Sequence, residues 1–231
     1  MIQFLKSLII NSYVPLKIVQ EIKFHLYLSF LRWNNKFNPL MILKRKRLES
    51  LFDIKLNFGC GGKILDGWIN IDACFLKGVD YVTDLRTRLP FKNSSIVRIY
   101  TEHVLEHLDF YKDIPVILNE FYRVLQPDGV IRIVVPDLEK YCTAYINNDL
   151  TWFKNVFPGC TGRAQGINSI FLDHFHCFIF DLETLTDCLS KAGFTEIRKK
   201  PYGISDYPKF NEIDTKSESR EYESLCVEAK K

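Results

Sequence analysis

A β-prone run, Ile54-Lys55-Leu56-Asn57-Phe58, leads directly into Gly59-Cys60-Gly61-Gly62. Glycines at such a point let the backbone turn tightly and approach a ligand with no Cβ in the way. A glycine turn after a strand serves a nucleotide, a phosphate or the turn alone, so its neighbours decide. Asp72 closes the next β-prone run, where a carboxylate at the carboxyl edge of a parallel strand accepts hydrogen bonds from a ribose diol. Asp84 follows Tyr81-Val82-Thr83 and, with Leu85, offers an adenine a polar edge and an apolar surface. Three successive strand ends of this kind point to an adenosine-containing cofactor. A dinucleotide is disfavoured, because Gly59 to Ile64 lacks the third glycine of G-x-G-x-x-G.

Two histidine clusters lie further on. His103-Val104-Leu105-Glu106-His107 has the H-x-x-E-H spacing of an inverted zinc-protease motif, and on a helix His103 and His107 would share a face. No downstream acidic ligand declares itself, so no metal is expected there. In Asp173-His174-Phe175-His176 either histidine could accept a proton near neutral pH, with the aspartate orienting it. Phe175, Phe178 and Phe180 read as core or pocket lining, since no basic residues interleave them for nucleic-acid stacking.

The elements that must carry these residues alternate. Strands are predicted at 54–58, 68–71, 79–82, 96–100 and 130–135, with helices over 114–125 and 182–192. Pro127-Asp128-Gly129 stops the first of these helices, Gly193 the second, and two final strands follow at 196–199 and 225–229. This is the order of an α/β domain with a parallel sheet. A polar excursion through 205–221 joins the last two strands.

The stretches LNFGCGG (56–62), INIDA (69–73), DLRTRLPF (84–91), IYTEHVLEHL (99–108), LNEFYRVLQPDGVIRIVVPD (118–137) and AGF (192–194) resemble the class I S-adenosylmethionine-dependent methyltransferases. The likeness is to their small-molecule, type 11-like branch, and it runs through the chain after residue 52. It implies a Rossmann-like, seven-stranded, mostly parallel sheet whose last strand is antiparallel, and S-adenosylmethionine as cofactor. By that resemblance Gly59 and Gly61, with Cys60 between them, would line the methionine portion. Asp72 would bind the ribose, and Asp84 with Leu85 would flank the adenine. Glu102 and His103 would lie near the transferable methyl, with Asp137, His174 and His176 on the acceptor side. Asn57 stands where many members carry an acid, so its contact to the cofactor ammonium would be a neutral amide contact or run through water. The step from Gly59 to Asp72 is 13 positions, too short for a regular crossover helix.

The reaction implied is methyl transfer to an oxygen, nitrogen or carbon of a small acceptor, such as a saccharide or lipid-linked intermediate. A cofactor-fold scaffold without turnover and an RNA methyltransferase are the alternatives. The latter lacks an Asn-Pro-Pro-Tyr-like motif or paired catalytic cysteines.

Charge separates the chain into two parts, 1–51 and 52–231. Residues 1–48 hold nine Lys or Arg against Glu21, a net +8, and the remainder is −5. That localises attraction for anionic partners to the front and argues against a nucleic-acid-wrapping body. The front reads as two short amphipathic helices separated near Pro15, with Ile18, Val19, Ile22 and Leu26 on one face. A cap over the active-site entrance is favoured, and contact with an anionic membrane is the alternative. Lys44-Arg45-Lys46-Arg47 suits phosphates, headgroups or a solvated linker. Charges interrupt every apolar run, so no spanning helix is expected. Seven cysteines without a CxxC pair suit a reduced, cytoplasmic setting. The oligomeric state is left open.

Overall fold

The computed structural model describes residues 16–172, 175–211 and 213–231. Strands β1 (Ile54–Phe58), β2 (Ile69–Asp72), β3 (Tyr81–Val82), β4 (Ile96–Glu102), β5 (Leu125–Pro136), β6 (Thr195–Lys200) and β7 (Ser224–Lys230) form one sheet in the order β3-β2-β1-β4-β5-β7-β6. The pairings from β3 across to β5 are parallel, and β7 runs antiparallel to both neighbours. The expected Rossmann-like sheet with an antiparallel last strand is therefore present.

Side chains of a strand alternate between faces, and β5 uses both. Ile131, Ile133 and Val135 enter the main core with Leu56, Phe58 and Ile71. Helices α3 (Asp113–Val124) and α7 (Leu182–Lys191) cover that core with Ile114, Ile117, Phe121, Leu185 and Leu189. Val130 and Val134 face the other way, onto Tyr100, Trp68 and Phe210. That second face is closed partly by the excursion after β6, because residues 59–68, 73–80 and 83–95 contain no helix. Arg132 lies between Val130 and Val134, fully buried, and pairs with Asp214 of the excursion and Glu228 of β7. A short helix, α8 (Glu218–Glu223), ends the excursion.

In place of a crossover helix, the β1–β2 connection is tied by two asparagines in register. Asn57 Nδ2 donates to Lys63 O and Asn70 Oδ1, both at 2.8 Å, and Asn70 Oδ1 also accepts from Leu65 N. The backbone groups that a helix would have satisfied internally are thereby partnered.

Three helices between β5 and α7 are not evident from sequence periodicity: α4 (Leu138–Ile146), α5 (Leu150–Val156) and α6 (Arg163–Leu172). They pack around Tyr141, Phe153 and Ile170. Asp137 and Asp149 cap α4 and α5 by accepting from Glu139 N and Trp152 N, a start signal readable in principle.

Of the two short helices expected on either side of Pro15, the first and the break at Pro15 lie outside the described residues. The second is longer than expected: helix α1 runs unbroken from Leu16 to Phe37, and Asn38 then caps a further helix, α2 (Pro39–Glu49). The Lys44–Arg47 cluster belongs to α2 and is no linker. Leu28 and Leu31 of α1 pack on Val82, at the β3 edge.

Candidate functional site

The glycine turn, Asp72 and the end of β3 converge at the carboxyl edge of the sheet. Gly59 (φ 67°) and Gly61 (φ 51°) both adopt left-handed backbone conformations, which glycine enters without the Cβ penalty. Their surroundings differ. A Cβ on Gly59 would collide with Val104, whereas one on Gly61 or Gly62 would meet nothing within 4 Å. Gly59 thus serves close packing against the turn after β4, and Gly61-Gly62 present bare backbone to open space.

Asp72 stands beside that open backbone, about nine-tenths buried. Its Oδ2 accepts from Gly61 N and its Oδ1 from Cys74 N, each at 2.7 Å. Two backbone bonds orient the carboxylate while leaving lone-pair capacity on each oxygen. This open cradle with a fixed carboxylate fits the ribose and methionine ends of an adenosine-containing cofactor. Burial, reinforced by the Asp72 charge, pushes the Cys60 thiol up to about 12, so it stays protonated and serves the loop, not as a nucleophile.

Asp84 differs from expectation. It is buried, and its oxygens take the Arg86 backbone N–H, the Arg86 guanidinium and Arg32 Nε (2.7 Å) from α1. Two guanidiniums occupy the carboxylate that an adenine edge would need, so Asp84 anchors α1, and Leu85 beside it is half-buried against the main core. Tyr27 OH donates to Ala73 O at 2.5 Å and Asn35 Nδ2 to Val82 O at 3.0 Å. Helix α1 is therefore fastened at the ends of β2 and β3, beside the cradle. Asn57 likewise spends its amide N–H groups inside the β1–β2 connection.

Glu102, expected near the methyl, is bound up in a network. Oε2 accepts from Lys63 Nζ (2.8 Å) and Thr215 Oγ1 (2.5 Å), while Oε1 accepts from Tyr202 OH (2.7 Å) and Thr215 N (3.1 Å). Burial alone would raise its pKa, but the Lys63, Thr215 and Tyr202 contacts outweigh it and hold the carboxyl down at about 2. The same burial lowers Lys63 more than its partner raises it, so the carboxylate gains more from the pair than the ammonium does. Glu102 joins the glycine turn to the excursion after β6. Since its folded pKa lies below the ordinary 4.5, the stability it contributes is fully present above about 4.5 and is lost as pH falls towards 2. Denaturant melts of Glu102→Gln should show a deficit at neutral pH of at most about 3 kcal/mol, shrinking below pH 4.5. A deficit independent of pH would remove the ionised network.

Asp137 also has other duties. It is fully buried, caps α4, and its Oδ2 lies 3.2 Å from Lys199 Nζ. A carboxylate that caps a helix and pairs with a lysine is poorly placed as a general base. His174 lies outside the described residues.

His103 and His176 do come together, around Glu106. The H-x-x-E-H stretch is no α-helix: only Leu105–His107 forms a 3₁₀ turn, and His103 takes a left-handed backbone (φ 52°). Its ring therefore turns back, with Nε2 3.0 Å from Ser224 Oγ and Nδ1 3.0 Å from Glu106 Oε1. Cys177 N and Phe178 N donate to Glu106 O, at 2.7 and 3.1 Å, which draws His176 onto the turn. Phe178 stacks on Phe110, 4.0 Å between centroids, and packs against Phe180, so these two phenylalanines are core.

Residues 56–133 match the model of a family described as a methyltransferase domain. No curated protein matches the sequence. Among solved structures, a SAM-dependent methyltransferase from Archaeoglobus fulgidus is similar with a TM-score of 0.51 at 16% identity, over 87% of this chain and 99% of that one. A Thermotoga maritima protein described as a SAM-dependent methyltransferase, possible histamine N-methyltransferase, gives 0.46 at 18% identity, over 87% and 94%. One from Mesorhizobium loti gives 0.45 at 16%, over 83% and 97%. At such identities the likeness is one of fold.

Proposed function

We propose that this chain, whose residues 56–133 match a methyltransferase domain, is a class I S-adenosylmethionine-dependent methyltransferase that methylates a saccharide or lipid-linked small acceptor met at an anionic membrane surface. The observation that carries the cofactor half is the bare backbone of Gly61-Gly62 beside the oriented Asp72 carboxylate. The cofactor supplies a methyl group on a positively charged sulfur, which needs no protein acid to leave. The chain's own task is then to hold the acceptor in line and exclude water. A hydroxyl acceptor would give its proton to a histidine past β4, such as His103. Calorimetric titration with S-adenosylhomocysteine tests the reading, with one site per chain expected; absence of binding by the folded protein overturns it.

The membrane half rests on α1. Ile18, Ile22, Leu26, Phe30, Trp33 and Phe37 recur at intervals of three and four residues and are exposed, Leu26 at 66% and Trp33 at 59%. This stripe lies apart from Leu28 and Leu31, which pack on the body. A soluble helix rarely leaves such a stripe bare, and Leu40 and Leu43 of α2 extend it. Lys23, Lys36 and the 44–47 cluster lie in the same two helices, each base near an anionic surface adding roughly 1 kcal/mol at low salt. Among the described residues no helix is long and apolar enough to cross a membrane, so the arrangement favours lying on the surface. The same helix is fastened beside the cofactor cradle, which joins the two readings. In cosedimentation the protein should pellet with anionic liposomes at low salt and less at high salt. Leu26→Ser with Trp33→Ser should abolish pelleting while leaving cofactor binding intact. No binding to anionic liposomes even at low salt would reject the membrane role. Substitution is preferable to removing residues 1–48, which would also strip Leu28, Leu31 and Arg32 from the body.

A further inference from the structure

We propose that Glu106, His107 and His176 form a binding site for a divalent transition-metal ion of the zinc type. One potential ligand atom from each lies within 4.8 Å of the others. The two segments that supply them are fastened together by the main-chain bonds from Cys177 and Phe178 to Glu106 O. A tetrahedral ion with bonds near 2.0 Å separates its ligands by about 3.3 Å, a closure that side-chain rotation of the exposed His107 can supply.

The independent sign is Glu106 itself. Its side chain is fully buried, and among the described residues neither carboxylate oxygen has a hydrogen-bond donor. Oε1 lies 3.0 Å from His103 Nδ1 without a hydrogen bond between them. A buried carboxylate without donors costs several kcal/mol unless a cation meets it. The imidazoles of His107 and His176 with that carboxylate make a two-nitrogen, one-oxygen set, which suits zinc or a neighbouring first-row ion over magnesium or calcium. Three protein ligands leave a fourth position for water or a ligand oxygen, open towards solvent past His107. His103 would then stand behind Glu106 as an orienting partner, held by Ser224.

The test reads metal binding directly and does not require methyl transfer. The full-length protein is stripped with a chelator and dialysed against zinc near neutral pH, and the bound metal is measured. One zinc per chain is expected at sub-micromolar free metal, and cobalt in its place should give the visible absorption of a four-coordinate site. His107→Ala and His176→Ala should each weaken zinc binding by more than the roughly 100-fold typical of losing an outer-shell partner. His107 is exposed, so its variant reads the site without disturbing the core. Glu106→Gln should do the same, with circular dichroism checking its fold. No zinc retained by the wild type, with Glu106 neutralised by protonated histidine instead, overturns the proposal. So does zinc whose affinity survives both histidine substitutions, which would place it on exposed thiols such as Cys74 and Cys142.

Discussion

Arg132→Met should destabilise the protein by about 3–5 kcal/mol, the cost of leaving a buried opposite charge without its partner. Arg132 is fully buried in the middle of β5. Nε donates to Asp214 Oδ1 at 2.9 Å and Nη2 to Asp214 Oδ2, while Nη1 reaches Glu228 Oε1 at 2.8 Å and Ile204 O at 3.1 Å. Nη2 also donates to Pro201 O at 3.3 Å. The guanidinium fork thus joins three pieces of chain: β5, its register partner on β7, and the excursion from 201 to 214. Truncating it strands two buried carboxylates and releases the segment that closes the helix-poor face of the sheet. Urea melts should show a lower midpoint, and a fall in slope would report partial loosening of the excursion in the native state, because less surface is then left to expose on unfolding. The triple replacement Arg132→Met, Asp214→Asn, Glu228→Gln should recover much of the loss, because a neutral set removes the stranded charges. A single-variant loss below about 1 kcal/mol would mean that water reaches the carboxylates and that the triad does not hold the excursion.

The triad also shows why some of the molecule was legible in sequence and some was not. Strands β1, β2, β4, β5 and β7 announce themselves by local apolar runs, and α3 and α7 by helical periodicity with Gly-containing stops. Gly59, Gly61 and Asp72 were readable because a turn and a strand end are local features. Asp84, Glu102 and Asp137 sit at strand ends too, but their partners are distant: Arg32 lies 52 residues from Asp84, and Thr215 lies 113 from Glu102. Lys199 lies 62 residues from Asp137. A carboxylate's duty depends on which cation folds against it, and spacing along the chain carries no record of that. Helices α4 to α6 were missed because their apolar positions serve a local cluster around Tyr141 and Phe153, with only the Asp137 and Asp149 caps marking them. The H-x-x-E-H spacing places both histidines on one face only if it lies on a helix, and the left-handed His103 interrupts one.

Asp72→Ala should weaken S-adenosylhomocysteine binding by about 1–3 kcal/mol, roughly 5- to 150-fold, the range for losing a charge-assisted hydrogen-bond acceptor. The carboxylate is already oriented by Gly61 N and Cys74 N, so a ribose diol would meet a preorganised acceptor and little side-chain entropy would be lost on binding. Alanine removes both the acceptor and the tie that keeps Gly61 in its left-handed turn, and the two losses must be told apart. Asp72→Asn does this, because its amide oxygen can still accept from one backbone N–H while the charge is gone. If the ribose contact matters, Asn should lose most of what Ala loses while the melting temperature stays near that of the wild type. If Asp72 only shapes the turn, Asn should bind almost normally and Ala should lose both stability and affinity. Calorimetry on both variants, beside their thermal melts, separates these outcomes. Wild-type affinity in Asp72→Ala would remove the ribose assignment and leave the bare backbone at Gly61-Gly62 as the cradle's remaining contribution.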